Sequence, residues 1–288
     1  MDTIELTIPV DGARHATLIA RLEEYGFTGF QEDEGVLKAY IGADDWSAGK
    51  SQYVKSWLQR QGVKGTVAEQ RIPAQNWNAR WEQSIEPLTV GPFVVKPTWA
   101  AVPDAAEGRH VLEIDPKMSF GTGYHESTRL MLRFLPELVS GGERVLDAGT
   151  GTGILAIAAV RLGARAVVAF DISTWAEENA RENIALNHVA DRIDVRCGAI
   201  DTAVPEGGFD LILANIERDP LIELLPAFAE RLAGDGRVAL AGLTEDDEPP
   251  MRSAIAEHGF AIDREAREND WWAVVLDREK RGDEGAAR

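Results

Sequence analysis

A run of closely spaced glycines near the middle of the chain constrains the fold most strongly. Residues 145–153 read Val-Leu-Asp-Ala-Gly-Thr-Gly-Thr-Gly, with an apolar segment before the glycines and a helical pattern after them. A second apolar segment then ends in a carboxylate, Asp171. This order predicts a βαβ unit with a cofactor site at the carboxyl edge of a parallel sheet. A purely structural turn is less favoured, because an acid stands at the end of both strands.

The spacing of the glycines distinguishes two classes of cofactor. A dinucleotide site requires G-x-G-x-x-G, but the sixth position counted from Gly149 is Ile154. Counting from Gly151 gives Ala156, which moves the turn into the helix. A methyl donor of the S-adenosylmethionine type carries no phosphate, and its carboxylate suits a helix N-terminus. The spacing therefore favours a methyl donor over a nicotinamide dinucleotide.

The residues around the turn suggest how such a donor would be held. Gly149, Gly151 and Gly153 would let the backbone approach its methionine part. Asp147 would face its amine, directly or through water, and Asp171 would accept from two ribose hydroxyls. We therefore predict that these five residues bind the cofactor.

Strand and helix patterns alternate from about residue 109 onward, which indicates an α/β fold. Repeated β-then-α order predicts a mostly parallel sheet covered on both faces. A strand pattern at 111–115 is the first of this series. The last two strand patterns, 260–264 and 271–276, have only a short link and predict an antiparallel hairpin.

The beginning of the chain has a different organisation. A strand at 4–8, a helix at 13–25 and a hairpin around Glu34 predict a small α+β domain of ferredoxin-like type. A helix is predicted over 46–61, and 63–72 could be a strand that completes this domain. The predicted boundaries are 1–62 for the small domain, 63–108 for a connector, 109–278 for the α/β domain and 279–288 for a charged tail. In the connector, Trp77 and Trp81 lie one helical turn apart and are interpreted as core residues.

Composition argues against several classes of protein. The formal net charge is −18 at pH 7, so direct binding of nucleic acid is not expected. No apolar run approaches the ~20 residues of a membrane helix, and residues 1–6 lack a signal-peptide pattern. The lone Cys197 and the scattered histidines favour a cytoplasmic protein without a metal site. A monomer is expected, because no exposed apolar helix is evident.

Three motifs resemble those of one enzyme family. They are Asp115-Pro-Lys-Met-Ser-Phe-Gly-Thr-Gly-Tyr-His-Glu-Ser-Thr128, the segment 145–159, and Leu213-Ala-Asn-Ile216. The first is similar to D-P-x-x-A-F-G-T-G-T-H-x-T-T and the third to V-A-N-I-L. These motifs are typical of the ribosomal protein L11 methyltransferases, the PrmA family of class I S-adenosylmethionine-dependent methyltransferases. The resemblance spans nearly the whole chain.

The resemblance implies a Rossmann-like class I methyltransferase domain, whose mostly parallel seven-stranded sheet has an antiparallel last strand. It also implies a small N-terminal substrate-recognition domain, which fits residues 1–60. S-adenosylmethionine is the implied methyl donor, and ribosomal protein L11 is the implied substrate. Cofactor contacts are implied at Thr128, Gly149, Asp171 and Asn215.

Methyl transfer to an amine requires a neutral nucleophile, which suggests further roles. At pH 7 neutralisation costs about 4.6 kcal/mol for lysine and about 1 kcal/mol for an α-amine, and positioning should supply most of the rate. The side-chain carbonyl of Asn215 would serve either the amine or the adenosine region of the donor. The backbone carbonyls of Asn215 and Ile216 would accept from the incoming amine, and Phe120 would wall the methyl channel. His125 is either a proton acceptor or orienter for the substrate, or a helix-entry residue bonded to the backbone.

Some features leave the substrate open. Tyr124, Glu126, Glu217 and Arg218 depart from the family pattern beside the expected amine pocket. Five acids near the hairpin either attract a basic ribosomal protein or form a solvated surface; they are Glu32, Asp33, Glu34, Asp44 and Asp45. The alternatives to methylation of ribosomal protein L11 are methylation of another protein or a small amine, nicotinamide-dependent redox chemistry, and an inert binding module.

Overall fold

The computed structural model describes residues 2–72, 85–117 and 119–279. These residues divide into two compact units, residues 2–72 and residues 85–279. The predictions for Trp77 and Trp81, and for nearly all of the charged tail, fall outside the described residues.

The first unit is an antiparallel sheet with two helices packed on it. Its elements are β1 (Thr3–Pro9), α1 (His15–Glu24), β2 (Gly29–Asp33), β3 (Val36–Gly42), α2 (Ala48–Arg60) and β4 (Ala68–Ile72). Alternate residues of β1, such as Leu6 and Ile8, form one buried core with Leu22 of α1 and Leu58 of α2. The βαββαβ order with sheet order β2-β3-β1-β4 is the predicted ferredoxin-like arrangement.

The boundary after the first unit lies further along the chain than residue 62. Strand β4 pairs with β1, with Thr3 opposite Ile72. The sheet is therefore completed by residues 68–72, which lie inside the connector predicted at 63–108. The sequence predicts this strand only weakly, because four of its five side chains are exposed and carry little apolar pattern.

The described remainder of the predicted connector belongs to the second unit. Strands β5 (Leu88–Val90), β6 (Phe93–Lys96) and β7 (His110–Glu113) form a separate three-stranded sheet. Val95 and Leu112 from this sheet are buried in the core of the second unit. The strand predicted at 111–115 is therefore present, but it does not join the main sheet.

The main sheet of the second unit has seven strands in the order β10-β9-β8-β11-β12-β14-β13. They are β8 (Arg144–Ala148), β9 (Ala166–Asp171), β10 (Ile193–Cys197), β11 (Phe209–Asn215), β12 (Leu232–Thr244), β13 (Phe260–Glu268) and β14 (Trp271–Arg278). Strands β8 to β12 pair in parallel, whereas β14 is antiparallel to both of its neighbours. This confirms the mostly parallel seven-stranded sheet with an antiparallel last strand.

Helices cover both faces of the main sheet. They are α3 (Glu126–Leu138), α4 (Ile154–Leu162), α5 (Thr174–Leu186), α6 (Ile200–Ala203), α7 (Arg218–Arg231) and α8 (Glu248–Glu257). Successive residues of β8 point to opposite faces: Val145 packs with α3 and α4, and Leu146 packs with α7 and α8. Within residues 2–72, 85–117 and 119–279, no helix has both the length and the apolar character needed to cross a membrane.

The topology fixes where a ligand would bind. The sheet order reverses direction at β8, which lies between β9 and β11. In open α/β sheets, ligands bind at the carboxyl ends of the strands beside such a switch point. Asp147, Asp171 and Asn215, each at or next to the end of its strand, are therefore at one edge.

Candidate active site

The glycine turn after β8 is held tightly by two other segments of the chain. Gly149 has φ +71° and Gly151 has φ +54°, a region that L side chains rarely adopt. A Cβ at Gly149 would lie 2.4 Å from Cγ2 of Ile216, and one at Gly151 would lie 2.4 Å from the carbonyl oxygen of Phe120. Three motifs that are far apart in sequence therefore meet at this turn.

Asp147 supplies a buried carboxylate beneath the turn. Its Oδ2 accepts from the hydroxyl of Thr150 at 2.7 Å and from the amide of Ala156 at 3.2 Å. Its Oδ1 is buried and accepts no hydrogen bond within the described residues. Burial raises the pKa of Asp147 to about 6, and the nearby charge of Asp171 contributes in the same direction. An unpaired buried acceptor of this kind suits a ligand that brings an ammonium group.

Asp171 ends β9 on the other side of the turn. Its carboxylate accepts from the amide of Gly151 at 3.1 Å and from the amide of Ser173 at 3.0 Å. These two bonds fix the orientation of the carboxylate, while each oxygen keeps acceptor capacity for another donor. A pair of vicinal hydroxyls, such as those of a ribose, fits this arrangement.

The turn has no backbone amide left for a pyrophosphate. All the amides of residues 149–153 donate within the protein, at 2.8 to 3.1 Å. Their acceptors are the carbonyls of Phe170, Phe120 and Thr150 and the carboxylate of Asp171. Dinucleotide sites instead direct such amides at the phosphates. The geometry therefore agrees with the glycine spacing in disfavouring a nicotinamide cofactor.

The amides at the start of α4 are also partly engaged. The carboxylate of Asp147 occupies the amide of Ala156, which lies in the first turn of that helix. The sequence suggests that the helix N-terminus binds the carboxylate of the donor. The amide of Ala156 is not free for that contact, because it already donates to Asp147.

The loop that contains Phe120 packs directly on the glycine turn. The carbonyl of Phe120 accepts from the amide of Thr152 at 2.9 Å, and the carbonyl of Gly121 accepts from the Thr152 hydroxyl at 2.6 Å. The Phe120 side chain is 52% exposed. The backbone of this loop is thus fixed, while the phenyl ring stays available to a ligand.

Thr128 and Asn215 meet in the interior of the site. Nδ2 of Asn215 donates to Oγ1 of Thr128 at 3.3 Å, and both residues are buried. Oδ1 of Asn215 is buried and has no hydrogen-bond donor within the described residues. Among the described residues, Asp147 and Asn215 therefore each offer an unpaired acceptor that an incoming amine or ammonium group could satisfy.

His125 has the geometry of a helix-entry residue. It is the N-cap of α3, and its Nδ1 accepts from the amide of Ser127 at 3.3 Å and lies 2.8 Å from the Ser127 hydroxyl. Burial lowers the pKa of His125, which favours the neutral imidazole. Its ring also contacts the rings of Phe120 and Trp271. The Nδ1 atom is therefore engaged in capping rather than directed at a substrate.

Three structural contributions were not found by reasoning from the sequence. Gly242 interrupts β12 with φ +86°, and a Cβ there would lie 2.4 Å from the carbonyl oxygen of Ile216. The amide of Asn183 on α5 bonds the backbone of Asp115 and the carbonyl of Thr152. Trp271 opens β14 beside His125. The contribution of Gly242 has a signal in the sequence, because an isolated glycine in a strand often marks a bulge.

Comparisons with known proteins identify the family. The model of the family described as "Ribosomal protein L11 methyltransferase (PrmA)" matches residues 9–279. The chain belongs to this family. It is similar to proteins named ribosomal protein L11 methyltransferase from Chlorobaculum tepidum (37% identical; 95% of this chain and 96% of that one) and Porphyromonas gingivalis (36% identical; 89% and 88%).

A solved structure supports the same assignment. The ribosomal protein L11 methylase from Lactobacillus delbrueckii subsp. bulgaricus is 32% identical, with a TM-score of 0.64 over 68% of this chain and all of that one. The protein is an S-adenosylmethionine-dependent methyltransferase with a Rossmann-like catalytic domain. This donor fits the residues that are described: Asp147 and Asn215 keep acceptors without a donor there, and the carboxylate of Asp171 keeps acceptor capacity. The oxidoreductase alternative is not supported.

Replacing Asp171 by alanine tests the predicted ribose contact. We expect the affinity for S-adenosylhomocysteine to fall by about 1–3 kcal/mol, because a charged acceptor for two hydroxyls is lost. Isothermal titration calorimetry measures the change. Asp194→Ala is the matched control, since it removes an exposed carboxylate from the adjacent strand β10. Equal affinities for the two variants would exclude Asp171 from donor binding.

Proposed function

We propose that this enzyme transfers methyl groups from S-adenosylmethionine to amines of ribosomal protein L11, on lysine side chains, the N-terminal α-amine, or both. The observation that carries the proposal is the buried Oδ1 of Asn215, which has no donor among the described residues and lies next to Thr128 at the carboxyl edge of the sheet. An acceptor at this position can bind and aim an N–H group of the substrate. The names of the relatives support the choice of protein substrate.

The donor supplies the electrophilic methyl group on its sulfonium when it is bound. We assign the binding of its amine to Asp147 and of its ribose to Asp171, with Gly149, Gly151 and Gly153 shaping the turn between them. The target amine of the substrate must be neutral when it attacks. Neutral acceptors can orient it, and they stabilise its protonated form less than a carboxylate would.

The chain's contribution to the transfer step is mainly positioning. Oδ1 of Asn215 and the carbonyls of Asn215 and Ile216 would accept from the target nitrogen, so that its lone pair is directed at the methyl group. Phe120 would exclude water from the path. His125 would act through Phe120, because its Nδ1 is held by Ser127 and its ring contacts the phenyl ring. The amine would lose its proton to water before attack.

We propose that the first unit recruits the substrate. The five acids near the β2–β3 hairpin are exposed, and ribosomal proteins are basic, so attraction between them would raise the rate of encounter. This unit includes β4, which ends at Ile72. We further propose a cytoplasmic monomer that does not bind nucleic acid directly.

The decisive experiment uses labelled S-adenosylmethionine and ribosomal extract from the same source. Label is expected in ribosomal protein L11, and mass spectrometry would locate each modified amine and count its methyl groups. An extract treated with ribonuclease, and purified L11 alone, would show whether the free protein is a substrate. Label in RNA, or only in another protein, would contradict the proposal and favour a different methyl acceptor.

Neutralising the acids of the first unit tests its role in recruitment. The variant carries four substitutions, Asp33→Asn, Glu34→Gln, Asp44→Asn and Asp45→Asn. We expect KM for intact L11 to rise roughly fivefold at low salt, with the difference fading as salt screens the charges. Affinity for S-adenosylhomocysteine should not change. Steady-state kinetics at several ionic strengths measure the effect.

The matched control removes the same charge from exposed positions of the second unit. It carries Asp191→Asn, Glu223→Gln, Asp235→Asn and Asp263→Asn, all at exposed residues. If the first unit recruits the substrate, KM for L11 should rise less for this control than for the variant of the first unit. If both variants behave alike, net charge rather than the first unit attracts the substrate.

A further inference from the structure

We propose that Trp271 and Phe120 form an aromatic wall that stabilises the positive charge developing on the target nitrogen during methyl transfer. This inference rests on the proposed function, since it concerns the same amine. It adds Trp271, a residue outside the three motifs, to the groups that contact the substrate.

The topology brings Trp271 to the catalytic edge of the sheet. It is the first residue of β14, and β14 runs antiparallel to β12. The beginning of an antiparallel strand lies at the edge where its parallel neighbours end. Trp271 pairs with Thr244, the last residue of β12. It therefore lies at the same edge as Asn215, which ends β11.

Direct ring contacts link Trp271 to the motif that contains Phe120. The ring centroid of His125 lies 4.3 Å from that of Trp271 and 5.0 Å from that of Phe120. The interplanar angles of 74° and 62° are those of edge-to-face contacts. His125 holds the two larger rings in a fixed relation, because it is itself anchored as the cap of α3.

The same helix connects these rings to the amine site. His125 caps α3, and Thr128, three residues further on, accepts from Asn215. The backbone of Phe120 is bonded to the glycine turn through Thr152. These links place the aromatic rings at the edge of the sheet that carries the donor turn and the acceptor atom of Asn215. The lowered pKa of His125 favours a neutral imidazole between the two larger rings.

The charge balance of the reaction gives the wall its catalytic effect. The nitrogen lone pair forms the N–C bond, while the S–C bond breaks with its electrons remaining on sulfur. The positive charge consequently moves from sulfur to nitrogen, and a proton leaves the nitrogen for water afterwards. An aromatic face attracts a cation but has little effect on a neutral amine. The attraction therefore grows towards the transition state and should raise kcat.

Substitutions at Trp271 distinguish an aromatic face from a merely apolar one. With L11 as substrate, we expect kcat to fall about threefold for Trp271→Phe and about tenfold or more for Trp271→Leu. The Kd for S-adenosylhomocysteine and the KM for L11 should stay within about twofold, because the ground state lacks the developing charge. Trp99→Leu removes an exposed tryptophan at another position and is the control for general effects of losing an indole ring.

Fluorinated phenylalanines at position 120 give a second test that keeps the shape of the ring. Each added fluorine weakens the attraction of the ring for a cation while the side chain stays apolar. We expect log kcat to fall stepwise with the number of fluorine atoms. This series remains informative even if Trp271→Leu lowers the melting temperature too far for kinetic measurement.

Two results would overturn the inference. One is a kcat that does not respond to fluorination, and the other is equal kcat values for wild type and Trp271→Leu. Failure of the proposed function would look different, because the wild-type enzyme would then transfer no methyl group to an L11 amine.

Discussion

Alanine in place of Gly151 is expected to raise the Kd for S-adenosylhomocysteine at least about 100-fold and to abolish methyl transfer. The new Cβ would lie 2.4 Å from the carbonyl oxygen of Phe120, a distance that requires the backbone to move. A carbonyl cannot rotate away as a flexible side chain can. Displacing it would break its bond with the Thr152 amide and separate the turn from the Phe120 loop.

Gly91 provides a closely matched control for this substitution. It also has φ +54°, but a Cβ there would meet no atom within 4 Å. Gly91→Ala therefore shares the conformational cost of the left-handed region, roughly 1–2 kcal/mol of stability, without the steric clash. Calorimetry with S-adenosylhomocysteine and thermal unfolding separate the two costs. If Gly151→Ala bound the ligand as tightly as Gly91→Ala, the close approach would have no role in donor binding.

The contrast between Gly151 and Gly242 shows what sequence can reveal about such contacts. Gly151 belongs to a run of glycines between a strand and a helix, so local spacing predicts both its turn and its site. Gly242 stands alone in β12, and its importance depends on the carbonyl of Ile216 on a neighbouring strand. No local pattern specifies which backbone approaches it. The sequence predicts the turn but not its partners.

The same distinction applies to the fold. Strands β8, β9 and β11 are largely buried, and their apolar runs are enough to predict a parallel sheet from the amino-acid sequence. Strand β4 is mostly exposed, so only its pairing with β1 establishes that it completes the first unit. Trp271 likewise gains its position from the antiparallel direction of β14. Pairing between strands that are far apart in sequence determines these features, and the periodicity of apolar residues does not predict that pairing.

The acid at the end of β8 has a pH dependence that follows from its burial. Burial raises the pKa of Asp147 from 3.8 to about 6. Between these values the unfolded chain binds fewer protons than the folded one, so the free energy of unfolding falls as pH rises. The free energy of unfolding falls by about 3 kcal/mol in total as this carboxyl ionises, and the fall is complete above about pH 6. We therefore expect Asp147→Asn to stabilise the ligand-free protein at pH 8 by up to about 3 kcal/mol.

Donor binding should respond to the same substitution in the opposite direction. We assign Oδ1 of Asp147, which has no donor in the described part of the chain, to the ammonium of the donor. The ionised carboxylate attracts this group more strongly than a neutral amide does. Loss of the charge should weaken the binding of S-adenosylhomocysteine by about 1.5–3 kcal/mol at pH 8. The variant would then be more stable but less able to bind its ligand.

The pH profile of binding separates this role from a purely structural one. Below pH 6 the carboxyl of the ligand-free enzyme is largely protonated, so wild-type affinity should fall by up to about tenfold per pH unit. Asp147→Asn has no proton to lose and should lack this dependence, whereas Asp210→Asn, at an exposed carboxylate of β11, should retain it. Calorimetry between pH 5 and pH 8 measures the three profiles. A wild-type affinity that is constant over this range would show that Asp147 supports the turn without sensing the charge of the donor.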